Sequence, residues 1–240
     1  MENLSRLIRE KDSEAGVLLV GSAAKGETDG LNDLDLLVVG DWSKISALKS
    51  DPSYRDTCDY SMRFEFPNMP DVGILVKSIA ELRVRIDEVL SGSVDLMYKP
   101  WAIGAEAPEG FLGDIAASRI ITDTPMGDLS NLKSRVNNYP DQLGEYIMQN
   151  CHQELTLRIQ QIEKAVLRKD YLSAQILKGH IIFVLMRLIF ADQKMYFSGV
   201  KSIPSGKYSG HSYANILQSL VDANEVNEYT KCIVSLKDIL

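Results

Sequence analysis

Residues 16–39, GVLLVGSAAKGETDGLNDLDLLVV, constrain the fold more tightly than any other stretch of the chain. An apolar run, Val17 to Val20, meets a turn of small residues, Gly21, Ser22, Ala23 and Ala24. A polar loop then leads into a second apolar run, Leu34 to Val39. Runs this short, bounded by glycine and polar residues, read as β-strands. Side chains alternate across a strand, so Asp33 and Asp35 share one face. Two carboxylates side by side repel unless something positive lies between them, and hard oxygen donors suit a divalent cation of the Mg²⁺ type. Upstream, Gly21 and Ser22 let bare amides and a hydroxyl come close to an anion.

A phosphate-holding turn beside a carboxylate pair is the pattern of metal-dependent nucleotidyl transfer. Gly21-Ser22, ten intervening residues and then Asp33-Leu34-Asp35 before a hydrophobic run resemble the signature of the DNA polymerase β nucleotidyltransferase superfamily. Lys25-Gly26 stands where that superfamily often has Arg-Gly. A dinucleotide site would instead show G-x-G-x-x-G opening a long helix, which is absent here. The resemblance implies a small mixed sheet, a nucleoside triphosphate substrate, and two Mg²⁺ ions bridged by Asp33 and Asp35. It also implies triphosphate contacts from Gly21, Ser22 and Lys25.

The same chemistry asks for a third carboxylate on a neighbouring strand. Asp71 opens the apolar run DVGILV, which leads into a helical pattern from Ser78 to Leu90 with Ile79, Leu82, Ile86 and Val89 on one face. Glu65 competes with it, on the alternating stretch YSMRFEF before the break at Pro67–Pro70. Asp71 is preferred as catalytic and metal-binding residue, because Phe64 and Phe66 around Glu65 equally suit an exposed charge on an edge strand.

Leu4, Leu7 and Ile8 recur at helical spacing and predict a short amphipathic helix over the sheet. Ile120 and Ile121 predict a further strand, and Asp123 to Gly127 a turn closing a first domain over 1–128. From Tyr139 the pattern turns to long helices: Leu143 to Val166, Tyr171 to Tyr196, Ala214 to Leu220 and Val226 to Leu240. These predict a helical bundle over 129–240, so the fold class is an α/β (α+β) domain followed by an all-α one. That half resembles the C-terminal halves of kanamycin- and lincosamide-type nucleotidyltransferases, and Pro108-Glu109-Gly110-Phe111 resembles a linking segment of bacterial relatives. The tail of the long helix is similar to a segment of that group in which Tyr196 and Lys201 match and Asp192 replaces the usual Asn. Lys201 and Arg187 are the nucleotide-binding candidates of this half. Arg187, inside an apolar run, needs an anion: a buried carboxylate or a nucleotide phosphate. Trp101 reads as a packing anchor or a base-stacking ring.

Composition removes several classes. Lys plus Arg total 26 against 33 for Asp plus Glu, a net charge of −7, and no basic run stands out, so a long nucleic acid is disfavoured. Cys58, Cys151 and Cys232 lack C-x-x-C spacing and read as free thiols in a reducing compartment, which predicts a cytoplasmic protein. The apolar run Ile181 to Ala191 carries Arg187 and reads as too short to cross a membrane. The expected activity is transfer of a nucleoside monophosphate, AMP first, to a hydroxyl of a small-molecule acceptor. The alternatives are an antitoxin-like module without catalysis and a transferase acting on RNA or protein. The sequence leaves the acceptor unnamed and admits a homodimer.

Overall fold

The computed structural model describes residues 2–26, 33–55, 61–65, 70–92, 109–197, 199 and 211–239. The chain forms two compact units, one of Met1–Glu88 with Phe111–Asn138 and one of Val89–Gly110 with Tyr139–Leu240.

The first unit is built on six strands among the described residues: β1 (Gly16–Val20), β2 (Leu34–Val39), β3 (Tyr54–Arg55), β4 (Ser61–Phe64), β5 (Val72–Lys77) and β6 (Arg119–Thr122), in the order β3-β4-β5-β2-β1-β6. β2 and β5 are parallel, with Asp35 opposite Gly73, while every other pair is antiparallel. Alternation sorts the strand residues cleanly. Val17, Leu19, Leu36, Val38, Met62, Phe64, Val72, Ile74 and Val76 line one face and are buried with Ile8 of α1 (Glu2–Lys11) and with Ile45 and Leu48. Each such side chain, fully buried, contributes about 1.5–3 kcal/mol. Ile45 closes α3 (Trp42–Ile45) and Leu48 sits in the 3-10 turn Ser46–Ser50.

The other face is divided along its length. Leu18, Leu37 and Val39 are buried on it. α6 (Asp128–Val136) comes close enough that a Cβ added to Gly16 would lie 2.6 Å from Leu129 Cδ1. At the other end of the same face the strands present Asp33, Asp35, Arg63 and Asp71. α4 (Ile79–Leu90) starts in a reciprocal cap: Glu81 N–H donates to Ser78 Oγ at 3.1 Å and Ser78 N–H to Glu81 Oε2 at 2.9 Å. Elements beyond the sequence reading include the single turn α2 (Gly21–Lys25), the two-residue strand β3, α5 (Gly110–Ala117) and α6. α6 packs with the sheet, so the first compact unit runs ten residues past the expected boundary at 128, to Asn138.

The second unit centres on α7 (Asp141–Leu167) and α8 (Tyr171–Asp192). They are antiparallel: a Cβ on Gly144 near the start of α7 would stand 3.4 Å from the carbonyl oxygen of Ala191 at the end of α8. The reversal takes three residues. Lys169 adopts a left-handed φ of 58°, and Asp170 caps α8 by accepting from Ser173 N–H at 3.1 Å. α9 (Ala214–Asp222) and α10 (Val226–Lys237) complete the described helices, and α8 stops at Asp192 rather than Tyr196.

By length and composition alone α8, Tyr171–Asp192, is long and apolar enough to cross a membrane, a test that a buried core helix passes as well. Here Ile181, Val184, Leu185, Leu188 and Ile189 are buried inside the unit. Among them Arg187 is 2% exposed and clamps Glu109, also 2% exposed at its side chain, through Nε to Oε1 at 2.7 Å and Nη2 to Oε2 at 3.0 Å. A fork-to-fork pair satisfies both charges without water. Cys151 lies nearby, its thiol pushed up to about 12 mainly by burial, so it stays protonated.

Removing one member of such a pair strands the other. Glu109→Ala is expected to destabilise the chain by about 3–5 kcal/mol, while Glu109→Leu with Arg187→Met recovers most of the loss. Urea unfolding of the single and double variants measures both.

Candidate active site

The site is assembled by strand direction. β2 and β5 begin where β1 and β4 end, so Gly21, Arg63, Asp33, Asp35 and Asp71 come from four different segments to one end of the sheet. The β2–β5 ladder extends one residue past β5, with Leu34 N–H donating to Asp71 O at 2.8 Å. This sets Asp33 and Asp71 side by side. One row further, Arg63, Gly73 and Asp35 stand on adjacent strands in register. Gly73 has no side chain to fill the middle of that row. A Cβ there would lie 3.1 Å from Asp35 Oδ1, and one on Gly21 only 2.7 Å from Asp35 Oδ2. Asp35 thus rests in a cradle of two glycines.

Arg63 joins the acids. Its Nη2 lies 2.6 Å from Asp71 Oδ2 and 3.3 Å from Asp33 Oδ2, and its Nε donates to Asp71 Oδ2 at 3.2 Å. Its hydrogen bonds to Asp71 and the charge of Asp33 raise the guanidinium pKa further. Glu65 turns elsewhere: it pairs with Arg55 at 3.0 Å, both half-exposed. Its strand lies beyond β5 from the Asp33–Asp35 strand. Asp71, not Glu65, is therefore the acid that the sheet brings to Asp33.

Lys25 is engaged by Asp114 of α5 at 3.0 Å. Burial raises the Asp114 carboxyl and Lys25 opposes the rise. Arg187, expected as a nucleotide contact, is held by Glu109; the anion that this buried cation required is a carboxylate of the chain itself. Lys201 and Trp101 lie outside the described residues, as does Cys58. Asp192 accepts from Nε2–H of His211 at 2.9 Å, a tautomer fixed by Tyr213 N–H donating to Nδ1 at 3.1 Å.

Residues 1–101 match the family described as Nucleotidyltransferase domain. The chain carries a nucleotidyltransferase domain. Residues 106–201 match a domain of unknown function (DUF4037), a span that includes both Glu109 and Arg187. The fold of the whole chain is similar to the crystal structure of a nucleotidyltransferase-like protein from Exiguobacterium sibiricum 255-15, with TM-score 0.53 and 15% identity over 100% of this chain and 74% of that one. At that identity the likeness is one of fold. No curated protein matches the chain. A nucleotidyltransferase domain with a mixed sheet, followed by a helical region, is consistent with the polymerase β superfamily.

Such domains typically use a nucleoside triphosphate and a divalent metal. Among the described residues, no group of three His, Cys, Asp or Glu side chains converges closely enough to hold a metal ion. The donor chemistry nonetheless fits one: Asp33, Asp35 and Asp71 offer hard carboxylate oxygens, and the space between Asp33 and Asp71 already accommodates a positive group, the Arg63 guanidinium.

The glycine cradle has a measurable signature. Gly26, at φ 73°, has nothing within 4 Å of an added Cβ, so Gly26→Ala is expected to cost only the left-handed backbone, about 1 kcal/mol. Gly21→Ala carries the same backbone cost and the collision with Asp35, for a total of about 2–3 kcal/mol. Chemical denaturation of the two variants isolates the crowding at Asp35.

Proposed function

We propose that the chain transfers a nucleoside monophosphate, AMP first, from a nucleoside triphosphate to a hydroxyl of a small-molecule acceptor, releasing pyrophosphate. The observation that carries this reading is the delivery of Asp33, Asp35 and Asp71 to one face and one end of the sheet, beside the Gly21-Ser22 turn. These three carboxylates would hold two Mg²⁺ ions, which when bound stabilise the charge that develops on the attacking and leaving oxygens.

The chain's own residues do the rest. Gly21 and Gly73, lacking a Cβ, leave room for the Asp35 carboxylate at the sheet end. Ser22, at the first turn of α2, offers a hydroxyl and an amide to phosphate oxygens. Lys25 adds positive charge once a triphosphate competes with Asp114 for it. Asp71 lies beside Asp33 and would orient the acceptor hydroxyl and receive its proton. A net charge of −7 favours a small acceptor over a long nucleic acid.

Incubation with ATP, Mg²⁺ and a panel of hydroxyl-bearing small molecules, followed by pyrophosphate detection, tests the reaction. Asp35→Asn is expected to lower turnover on the order of a hundredfold or more with the fold intact by circular dichroism. Near wild-type release from that variant would sink the assignment.

Ligand binding gives a second check. Mg²⁺ and triphosphate together are expected to stabilise the folded chain by about 2.7 kcal/mol at a hundredfold excess over Kd. The thermal shift should vanish when a chelator removes the metal; an equal shift in chelator would mean that the carboxylates do not anchor the nucleotide.

A further inference from the structure

We infer that Arg63 is a competitor for the divalent cation: it bridges Asp33 and Asp71 in the resting protein and must leave them before a metal ion can bind. This rests on the reading of the three carboxylates as a cation site. β4 presents Arg63 on the acid-bearing face, because its neighbours Met62 and Phe64 are buried on the opposite one. Gly73, directly opposite Arg63 on β5, leaves the guanidinium free to lean across the strand. Its Nη2 reaches both Asp71 Oδ2, at 2.6 Å, and Asp33 Oδ2, at 3.3 Å. One nitrogen therefore stands between the two carboxylates, where a shared cation would have to sit.

The arrangement explains two facts together. Asp33 and Asp71 lie side by side on neighbouring strands with their repulsion partly offset, and yet the three acids do not converge on a point. A guanidinium is wide and planar, and it holds carboxylates further apart than a small hard ion does. Arg63, Asp33 and Asp71 have side chains 43%, 47% and 31% exposed, so water can take over each group as the bridge opens. The bridge is therefore weak enough to be exchanged, unlike the closed pair of Glu109 and Arg187.

The test is a titration of the full chain with Mn²⁺ and no nucleotide, in which electron paramagnetic resonance counts the free ion. Arg63→Gln is expected to bind Mn²⁺ roughly threefold to tenfold more tightly than the wild type, the scale of two exposed ion pairs. Arg55→Gln removes the same charge from the neighbouring strand, where Arg55 holds Glu65 and no candidate ligand, and is expected to leave the affinity unchanged. Arg63→Lys keeps the charge without the fork and should fall between the two; it carries the comparison if the glutamine variant does not fold. Asp35→Asn should lose Mn²⁺ binding in every background.

The outcomes separate the two readings. If Arg63→Gln binds Mn²⁺ no better than wild type while Asp35→Asn still abolishes binding, the competition is refuted and the carboxylate site stands. If Arg55→Gln tightens binding as much as Arg63→Gln, a summed field and not the contact is responsible, and the inference falls. If Asp35→Asn binds Mn²⁺ as well as wild type, the carboxylate site itself is wrong and the inference goes with it.

Discussion

Repulsion between carboxylates on neighbouring strand ends is what this protein has to contain. Asp33, Asp35 and Asp71 stand at the starts of strands anchored by buried apolar residues, Leu36 to Val39 on β2 and Val72, Ile74 and Val76 on β5, so the sheet holds the acids together whether or not they repel. The parallel β2–β5 ladder supplies the positional force: its hydrogen bonds run up to Asp71 O, one residue short of the open end. Burial energy in the middle of the strands thus sustains an unfavourable charge density at their tips, and an arginine from the next strand offsets part of it. The same division explains why the glycines gather there. Gly21 and Gly73 are the two places where a methyl group would press on Asp35.

Much of this was legible from residue order. Strands announce themselves by apolar runs, and a two-residue spacing of acids on a strand has only one geometric meaning, so Asp33 and Asp35 followed directly. That β5 lies beside β2 and β4 further out does not follow from chain order, because the short connection between β4 and β5 admits either arrangement; the strand pairing settles it. Arg63 was missed although its signal was present: in YSMRFEF the residues Ser61, Arg63 and Glu65 alternate with buried neighbours, which puts an arginine on the acid-bearing face. What alternation does not show is which face that is, since the answer depends on pairing with β5. α5 and α6 escaped for another reason. Helices of eight and nine residues are held by tertiary contacts more than by their own pattern, as when Lys133 of α6 donates to the carbonyls of Ala116 and Ser118 at 2.6 and 2.5 Å.

The second unit shows how a physical demand read from sequence can leave its partner open between two chemistries. A buried arginine requires an anion, and that requirement is met. Its partner is 78 positions earlier in the chain, outside the helix pattern altogether. Sequence periodicity describes which face of α8 is covered; it carries no information about a carboxylate arriving from a distant turn. The charges of Arg187 and Lys25 are therefore both spoken for within the chain, one permanently buried and one in a partly exposed pair that a stronger anion can displace.

The strand order also governs how the chain leaves the ribosome. β2 to β5 pair with strands made within a few dozen residues of themselves, whereas β6, at Arg119–Thr122, returns to lie against β1 at Gly16–Val20. One edge of the earliest strand thus stays open while roughly a hundred residues are synthesised, presenting unpaired amides and carbonyls beside Val17, Leu18 and Leu19. α1 covers the apolar side of that edge from the outset, and its Ser5 later hydrogen-bonds to Thr122 of the arriving strand at 2.7 Å. The amino-terminal helix thus touches both β1's apolar side and the strand that completes the sheet.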